Sequence, residues 1–272
     1  MKNFDDKVAV VTGAGSGIGR ALALDLAGRG AYLAISDVHP AGLAETHALC
    51  EQAGARTVSF ELDVSDRAAV HRHADAVLAE FGRVNLVINN AGVALGADIV
   101  DMTWDDFEWV MNVDFWGVAN GTKAFLPALI ESGDGHVVNI SSVFGLMGIP
   151  GQSAYNSAKF AVRGFTEALR QEMKIARHRV GVSCVHPGGI KTNIVANARG
   201  MQDLGDRDEV TRRFEQIAMT TPAKAAQVIL AAAGSGPFHE FTVFKVITQM
   251  RPRKRLCDIV TGTTTSWKRP VQ

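Results

Sequence analysis

The sequence predicts an α/β fold: a doubly wound, mostly parallel sheet of seven strands with helices on both faces. Three observations carry this. Short runs of strand length alternate with amphipathic helical segments from Lys7 to His186 without a break. The first run, VAVV after Lys7, is apolar throughout, as a strand covered on both faces must be. A glycine-rich turn, TGAGSGIG from Thr12 to Gly19, joins that strand to the first helix.

Composition sets the bounds. The 272 residues suffice for one large α/β domain, and no repeat or low-complexity linker divides them, so one domain over 1–272 is expected. A hydrophobic fraction of 47% supplies a full core. The formal net charge is zero, which gives no general attraction to nucleic acid or an anionic membrane. Cys50, Cys184 and Cys257 fit neither a metal site nor a disulfide framework, which favours a reducing cytoplasm. No apolar run is long enough to span a bilayer, and the N-terminus lacks a signal-peptide core. A cytoplasmic protein is expected, with no metal, nucleic acid or membrane partner.

The elements follow in order. After the first strand, the glycines at Gly13, Gly15, Gly17 and Gly19 open a helix with Ile18, Leu22 and Leu26 on one face. Such a turn lets backbone N–H groups approach a phosphate, though tight turning alone would also explain it. Ala31 to Ser36 is the second strand, closed by Asp37. An acid about 20 residues after the glycines can accept hydrogen bonds from a ribose. Its ordinary alternative is capping the helix Pro40–Ala53. Thr57–Glu61 is the third strand, with Asp63-Val64 beyond it. Asp66–Phe81 is helical, and Val84–Asn89 is the fourth strand, ending in NNAG. A long helical region runs from Thr103 to Ser132 and carries Asn112 among apolar neighbours. Strand five is His136–Ile140, helix Ser153–Arg177 follows, and strand six is Val180–His186. Asn193–Thr221 reads as a mobile flap, Pro222–Ala233 as a helix and Phe241–Ile247 as a seventh strand.

The chemistry gathers between Ser141 and Lys159. Tyr155 and Lys159 stand four residues apart on a helix and share a face. Ser142 lies just past strand five, where an α/β sheet places its chemistry. A hydroxyl, a phenol and an ammonium together suit proton transfer to or from an alcohol. A free tyrosine has a pKa of about 10, and bringing it to about 7 takes roughly 4 kcal/mol. An ammonium about 4 Å away supplies roughly that at an effective dielectric of about 20. Lys159 is therefore expected to make Tyr155 a base. By itself, Tyr-x-x-x-Lys is usually an ordinary surface pair.

Taken together, the pieces resemble the short-chain dehydrogenase/reductase superfamily over roughly Lys7 to Thr192. TGAGSGIG resembles its glycine motif, NNAG its strand-four motif, PGGIKT its motif after strand six, and Asn112, Ser142, Tyr155 and Lys159 its catalytic tetrad. The resemblance implies a Rossmann-type fold and an NAD(P)-dependent oxidoreductase. It implies Tyr155 as acid/base, Lys159 as its tuner and a ribose ligand, Ser142 as orienter of the substrate oxygen, and Asn112 as holder of a relay water. For the cofactor it implies Gly13, Gly15, Ser16, Gly17, Ile18 and Gly19 at the phosphates, and Asp37 at the adenosine ribose. Asp63 and Val64 would flank the adenine, and Asn90, Ala91 and Gly92 the neighbouring ribose. Pro187, Gly188, Ile190 and Thr192 would lie by the nicotinamide. It also implies a homodimer or homotetramer, paired through Thr103–Ser132 and Ser153–Arg177, with Phe125, Leu126 and Leu129 supplying contact.

Asp37 favours NAD over NADP, and Ser16 stands where a base would suit a 2′-phosphate. Val93, Ala94, Leu95, Val143, Phe144, Met147 and the flap are expected to line an apolar pocket, so the expected substrate is a secondary alcohol or ketone with a hydrophobic body. Acetoin-like acyloins, 3-oxoacyl thioesters and steroid or terpenoid alcohols fit. The stretch from Val137 to Arg170 looks most like bacterial alcohol or acetoin dehydrogenases. Alternatives are an NADPH-dependent 3-oxoacyl reductase and a cofactor-sensing regulator without turnover. The tail, about 248–272, with its basic run Arg251 to Arg255, departs from the family pattern.

Overall fold

The structure is a computed structural model, and it describes residues 3–200, 218 and 220–234. Among the described residues six parallel strands form the sheet: β1 Val8–Thr12, β2 Tyr32–Asp37, β3 Thr57–Glu61, β4 Leu86–Asn89, β5 His136–Ile140 and β6 Gly181–Val185. Their order is β3-β2-β1-β4-β5-β6, which reverses direction between β1 and β4. At such a switch point a crevice opens beyond the carboxyl ends of the strands. The expected seventh strand, the basic run and the tail lie outside the described residues, as does most of the flap.

Alternation of side chains across the pleat sorts the core into two layers. Val11, Leu33, Ile35 and Ile88 face one way, and meet Leu22 and Leu26 of α1 (Gly17–Ala27), Leu43 of α2 (Pro40–Gln52) and Ile229 and Leu230 of the last described helix, Pro222–Gly234. Val8, Val10, Val87 and Val137 face the other way. They meet Val77 of α3 (Arg67–Phe81), Phe125 and Leu129 of α5 (Gly117–Glu131) and Leu169 of α6 (Ser153–Ile175). Phe125 and Leu129 are thus core residues. They cannot supply the intersubunit contact expected of them, because the helix turns that face to the sheet.

The helix ends follow local chemistry. Asp66 accepts a hydrogen bond from the Ala69 N–H at 3.0 Å and caps α3, which stops at Gly82 in the left-handed region. Thr103 caps α4 (Trp104–Met111) by accepting from Asp106 N–H at 3.1 Å. The long helix expected from Thr103 is interrupted: residues Asn112–Trp116 form a π-helical turn before α5. A π turn carries one extra residue and re-aims the side chains around it. Here it turns Asp114 inward.

A polar chain crosses the dry layer between β4, β5, α5 and α6. Asn89 and Asn139 are register partners on neighbouring strands. The Asn89 amide donates to Asn139 Oδ1 at 2.8 Å and to the Thr122 hydroxyl at 3.0 Å. Asn139 donates in turn to the Thr166 hydroxyl at 3.0 Å. These bonds offset the burial of the amides and hydroxyls, although Asn89 Oδ1 is left without a partner.

Candidate active site

A cleft of about 460 Å³ opens over the carboxyl ends of the strands. One end is built from the glycine turn. Gly13 has φ +65°, and a Cβ there would meet Ala91 Cα at 2.7 Å, so only glycine fits. Gly19 lies against the Gly13 carbonyl, letting α1 pack close beneath the turn. Asn90 ties the turn to β4 by donating to the carbonyls of Thr12 and Gly13 at 3.0 and 3.2 Å. Ser16, Gly17 and Ile18, at the start of α1, line the cleft, where free helix N–H groups favour an anion.

Asp37 lines the same end. Its Oδ2 accepts from Gly15 N–H at 2.8 Å and its Oδ1 from His39 N–H at 2.9 Å. It does not cap α2, whose N-cap is His39 with no side-chain bond. Arg20, the cation nearest in sequence to the turn, is turned aside. It pairs with Glu45 at 2.7 Å and donates to the Gly15 carbonyl at 2.6 Å. Asp63, Val64, Asn90, Ala91, Gly92, Pro187, Gly188, Ile190 and Thr192 line the walls. Gly15 and Gly19 shape the turn from behind and do not line the cleft.

The other end holds the reactive groups. Ser142, Tyr155 and Lys159 all line it. Ser142 follows β5; its Oγ accepts from Phe144 N–H at 3.1 Å, and its hydroxyl hydrogen-bonds the Tyr155 phenol. The Ser142 carbonyl is held by His186 Nδ1 at 2.9 Å. The Lys159 Nζ lies 5.4 Å from the centre of the Tyr155 ring. Asn156, which sequence reasoning passed over, secures the loop between Ser142 and α6. It donates to the carbonyls of Phe144 and Met147 and accepts from Ile149 N–H at 3.0 Å.

Asn112 is not part of this cluster. It is exposed and does not line the cleft. Asp114 takes the inward place, because the π turn points it back at α6. Its Oδ2 is 3.1 Å from Lys159 Nζ, with the two side chains 0% and 4% exposed. Its Oδ1 accepts from Val93 N–H at 2.7 Å. Lys159 also donates to the Ile140 carbonyl at 3.3 Å. Asp114 was missed because Asn is the residue type associated with the tetrad; the spacing from Gly117, packed on Val64, was the usable signal.

Electrostatics change accordingly. Burial pushes the Tyr155 phenol up; Lys159 pulls it down, Asp114 pushes it up again, a Ser142 hydrogen bond pulls down, and the net shift is upward. Burial and Asp114 thus oppose the lowering expected of Tyr155 from Lys159. Burial works against the Lys159 ammonium, but Asp114 and Tyr155 outweigh it and hold the lysine charged.

The apolar wall differs in part from expectation. Val93, Ala94 and Ile194 line it, and Trp109 of α4 joins them. Leu95 and Val143 are buried behind it, Phe144 stands edge-on to Tyr155 at 6.1 Å, and Met147 is 40% exposed. Arg199 covers Trp109, its guanidinium carbon 3.7 Å from the ring centroid.

Comparison with known proteins agrees with this geometry. The family model for short chain dehydrogenase matches residues 7–203. SadH of Mycobacterium tuberculosis (strain ATCC 25618 / H37Rv), described as an oxidoreductase, is 56% identical over 237 residues, covering 87% of this chain and 86% of that protein. Epidermal retinol dehydrogenase 2 of Mus musculus is 42% identical over 196 residues, covering 71% of this chain and 63% of that one. A short chain dehydrogenase/reductase from Burkholderia phymatum, solved in complex with NAD, superposes with TM-score 0.82 at 32% identity and covers 100% of both chains. With a glycine-rich turn at one end of the cleft, a Ser-Tyr-Lys cluster at the other and a family match across 7–203, this chain belongs to the short-chain dehydrogenase/reductase family of oxidoreductases.

Proposed function

We propose that the chain is an NAD(H)-dependent oxidoreductase that interconverts a secondary alcohol and its ketone on a substrate with an apolar body. The observation that carries this is the convergence of Ser142, Tyr155 and Lys159 on one end of a cleft whose other end carries Asp37.

The residues present fit a dinucleotide. Positive-φ Gly13 and Gly17 open the turn, and the start of α1 offers N–H groups to a pyrophosphate. Asp37 keeps lone pairs for ribose hydroxyls, and Lys159 has a third N–H beyond those facing Asp114 and Ile140. When bound, the nicotinamide ring exchanges a hydride with the substrate carbon. In the reducing direction, Tyr155 gives its phenolic proton to the substrate oxygen, and Ser142 donates a hydrogen bond to that oxygen as charge grows on it.

The body of the substrate meets Val93, Ala94, Trp109 and Ile194. A hydrocarbon there displaces water favourably, at about 25 cal/mol per Å² covered. An NADPH-dependent 3-oxoacyl reductase fits less well, because Asp37 meets the 2′-phosphate position and Arg20 is engaged elsewhere. A regulator without turnover would have no use for the retained cluster. A panel of apolar secondary alcohols with NAD, and of ketones with NADH, tests the reading; no turnover across the panel would overturn it.

A further inference from the structure

We propose that Asp114 is a fixed counter-ion of Lys159 that keeps Tyr155 a proton donor rather than a base at neutral pH, and so sets the site for carbonyl reduction. This rests on Tyr155 as the acid of the proposed reaction. Asp114 is a positioning residue: it touches Lys159 and not the substrate.

The geometry argues it. The Asp114 carboxylate is wholly buried, and the π turn and the Val93 N–H hold it in place. Burial pushes the Asp114 carboxyl up from its ordinary range, while the Lys159 ammonium 3.1 Å from Oδ2 and the Val93 N–H work the other way, so the ion pair is what favours the carboxylate here. A lone ammonium presents a full charge to the phenol beside it. An ammonium with a carboxylate at this distance presents a dipole, whose field falls off faster. The phenolate therefore gains less from Lys159 than it would from a free lysine.

Every group acting on the phenol from the surrounding elements is accounted for. On α6 these are Lys159 and Tyr155 itself, and on the π turn Asp114. After β5 comes the Ser142 hydroxyl. On β6, burial pushes the Cys184 thiol up to about 12, so it brings no charge near neutrality. His186, bound to the Ser142 carbonyl, is pushed down by burial and stays neutral there. Among the described residues no second cation acts on Tyr155.

Asp114→Asn keeps the shape and the acceptor for Val93 while removing the charge. The chain has two tyrosines, Tyr32 and Tyr155. Tyr32→Phe preserves the ring that stacks on Phe81, and leaves Tyr155 as the sole phenol. Its ionisation can then be followed by phenolate absorbance without substrate or cofactor. In the Tyr32→Phe protein Tyr155 should ionise above the range of a free tyrosine, because burial and Asp114 outweigh Lys159. Adding Asp114→Asn should bring that down by about one unit or more. The rise of kcat/KM for alcohol oxidation with pH should move the same way. Equal ionisation with and without Asp114→Asn would overturn the proposal. If that variant does not fold, the Tyr32→Phe titration still tests the proposal: ionisation near neutrality overturns it, because Tyr155 would then be a base with Asp114 in place. Failure to turn over any ketone would sink the proposed reaction and leave the titration standing.

Discussion

Asp37 Oδ2 accepts a hydrogen bond from the Gly15 N–H at 2.8 Å, so the acid closing β2 and the turn after β1 form a single unit. The carboxylate is held at the edge of the cleft, and the turn is shaped around it.

Cofactor choice follows. A 2′-phosphate carries about two negative charges, and two unit charges about 4 Å apart repel by roughly 4 kcal/mol at a dielectric of about 20. If half of that remains after screening, the expected outcome is about a thirtyfold preference for NAD(H) in kcat/KM. Asp37→Ala should weaken NAD(H) and improve NADP(H). Steady-state kinetics with both cofactors checks this, and equal efficiency in the parent would refute it.

Tyr155→Phe should fold normally and lose about 10²–10⁴-fold in turnover. Lys159→Met should also lose activity, and for a second reason should lose stability. It strands the Asp114 carboxylate in the interior, and breaking a buried pair this way costs about 3–5 kcal/mol. Thermal melts of the two variants side by side should show a lower Tm for Lys159→Met alone.

Acid should weaken the fold through His73. Both its ring nitrogens lack partners, and the ring packs on Phe60 and Phe125 at 4.7 and 5.5 Å. Burial lowers its pKa to about 4. The unfolded chain takes up that proton below about pH 6.5 while the folded chain refuses it. The stabilisation is thus complete above about pH 6.5 and is lost as pH falls toward 4, to the extent of about 3 kcal/mol. Urea melts between those limits should show the loss, and His73→Phe should flatten it; an unchanged slope would exclude His73.

Assembly should use the outer faces of α5 and α6 and the π turn. Trp116 and Phe160 stand there 45% and 43% exposed, whereas Phe125 and Leu129 point into the core. Phe160→Glu should shift a dimer or tetramer toward monomer in sedimentation. A parent that is monomeric at micromolar concentration would defeat this expectation.

Much of this was legible in the sequence. The parallel sheet follows from apolar runs spaced by helices, and the described strands fall within a residue or two of their expected bounds. Ser142, Tyr155 and Lys159 were legible because a strand end and a helical spacing suffice to bring them together. The π turn was not. No propensity marks it, and one extra residue in a helix changes which polar side chain turns inward, so Asn112 was expected where Asp114 lies. Trp109 and Phe125 were missed because helical periodicity alone does not say which apolar face meets the cleft or the sheet.

The amide chain from Asn89 through Asn139 to Thr166 has a consequence for how the sheet assembles. A slip of β5 by one residue against β4 would turn every side chain of that strand to the opposite face. Asn139 would lose both Asn89 and Thr166, and Asn89 its amide partner. Each polar group so stranded costs about 1–3 kcal/mol. A uniformly apolar strand would resist misalignment weakly, since one valine resembles the next. The paired asparagines act as an alignment key: the interior closes dry in one register, and that register hangs Ser142 at the mouth of the cleft.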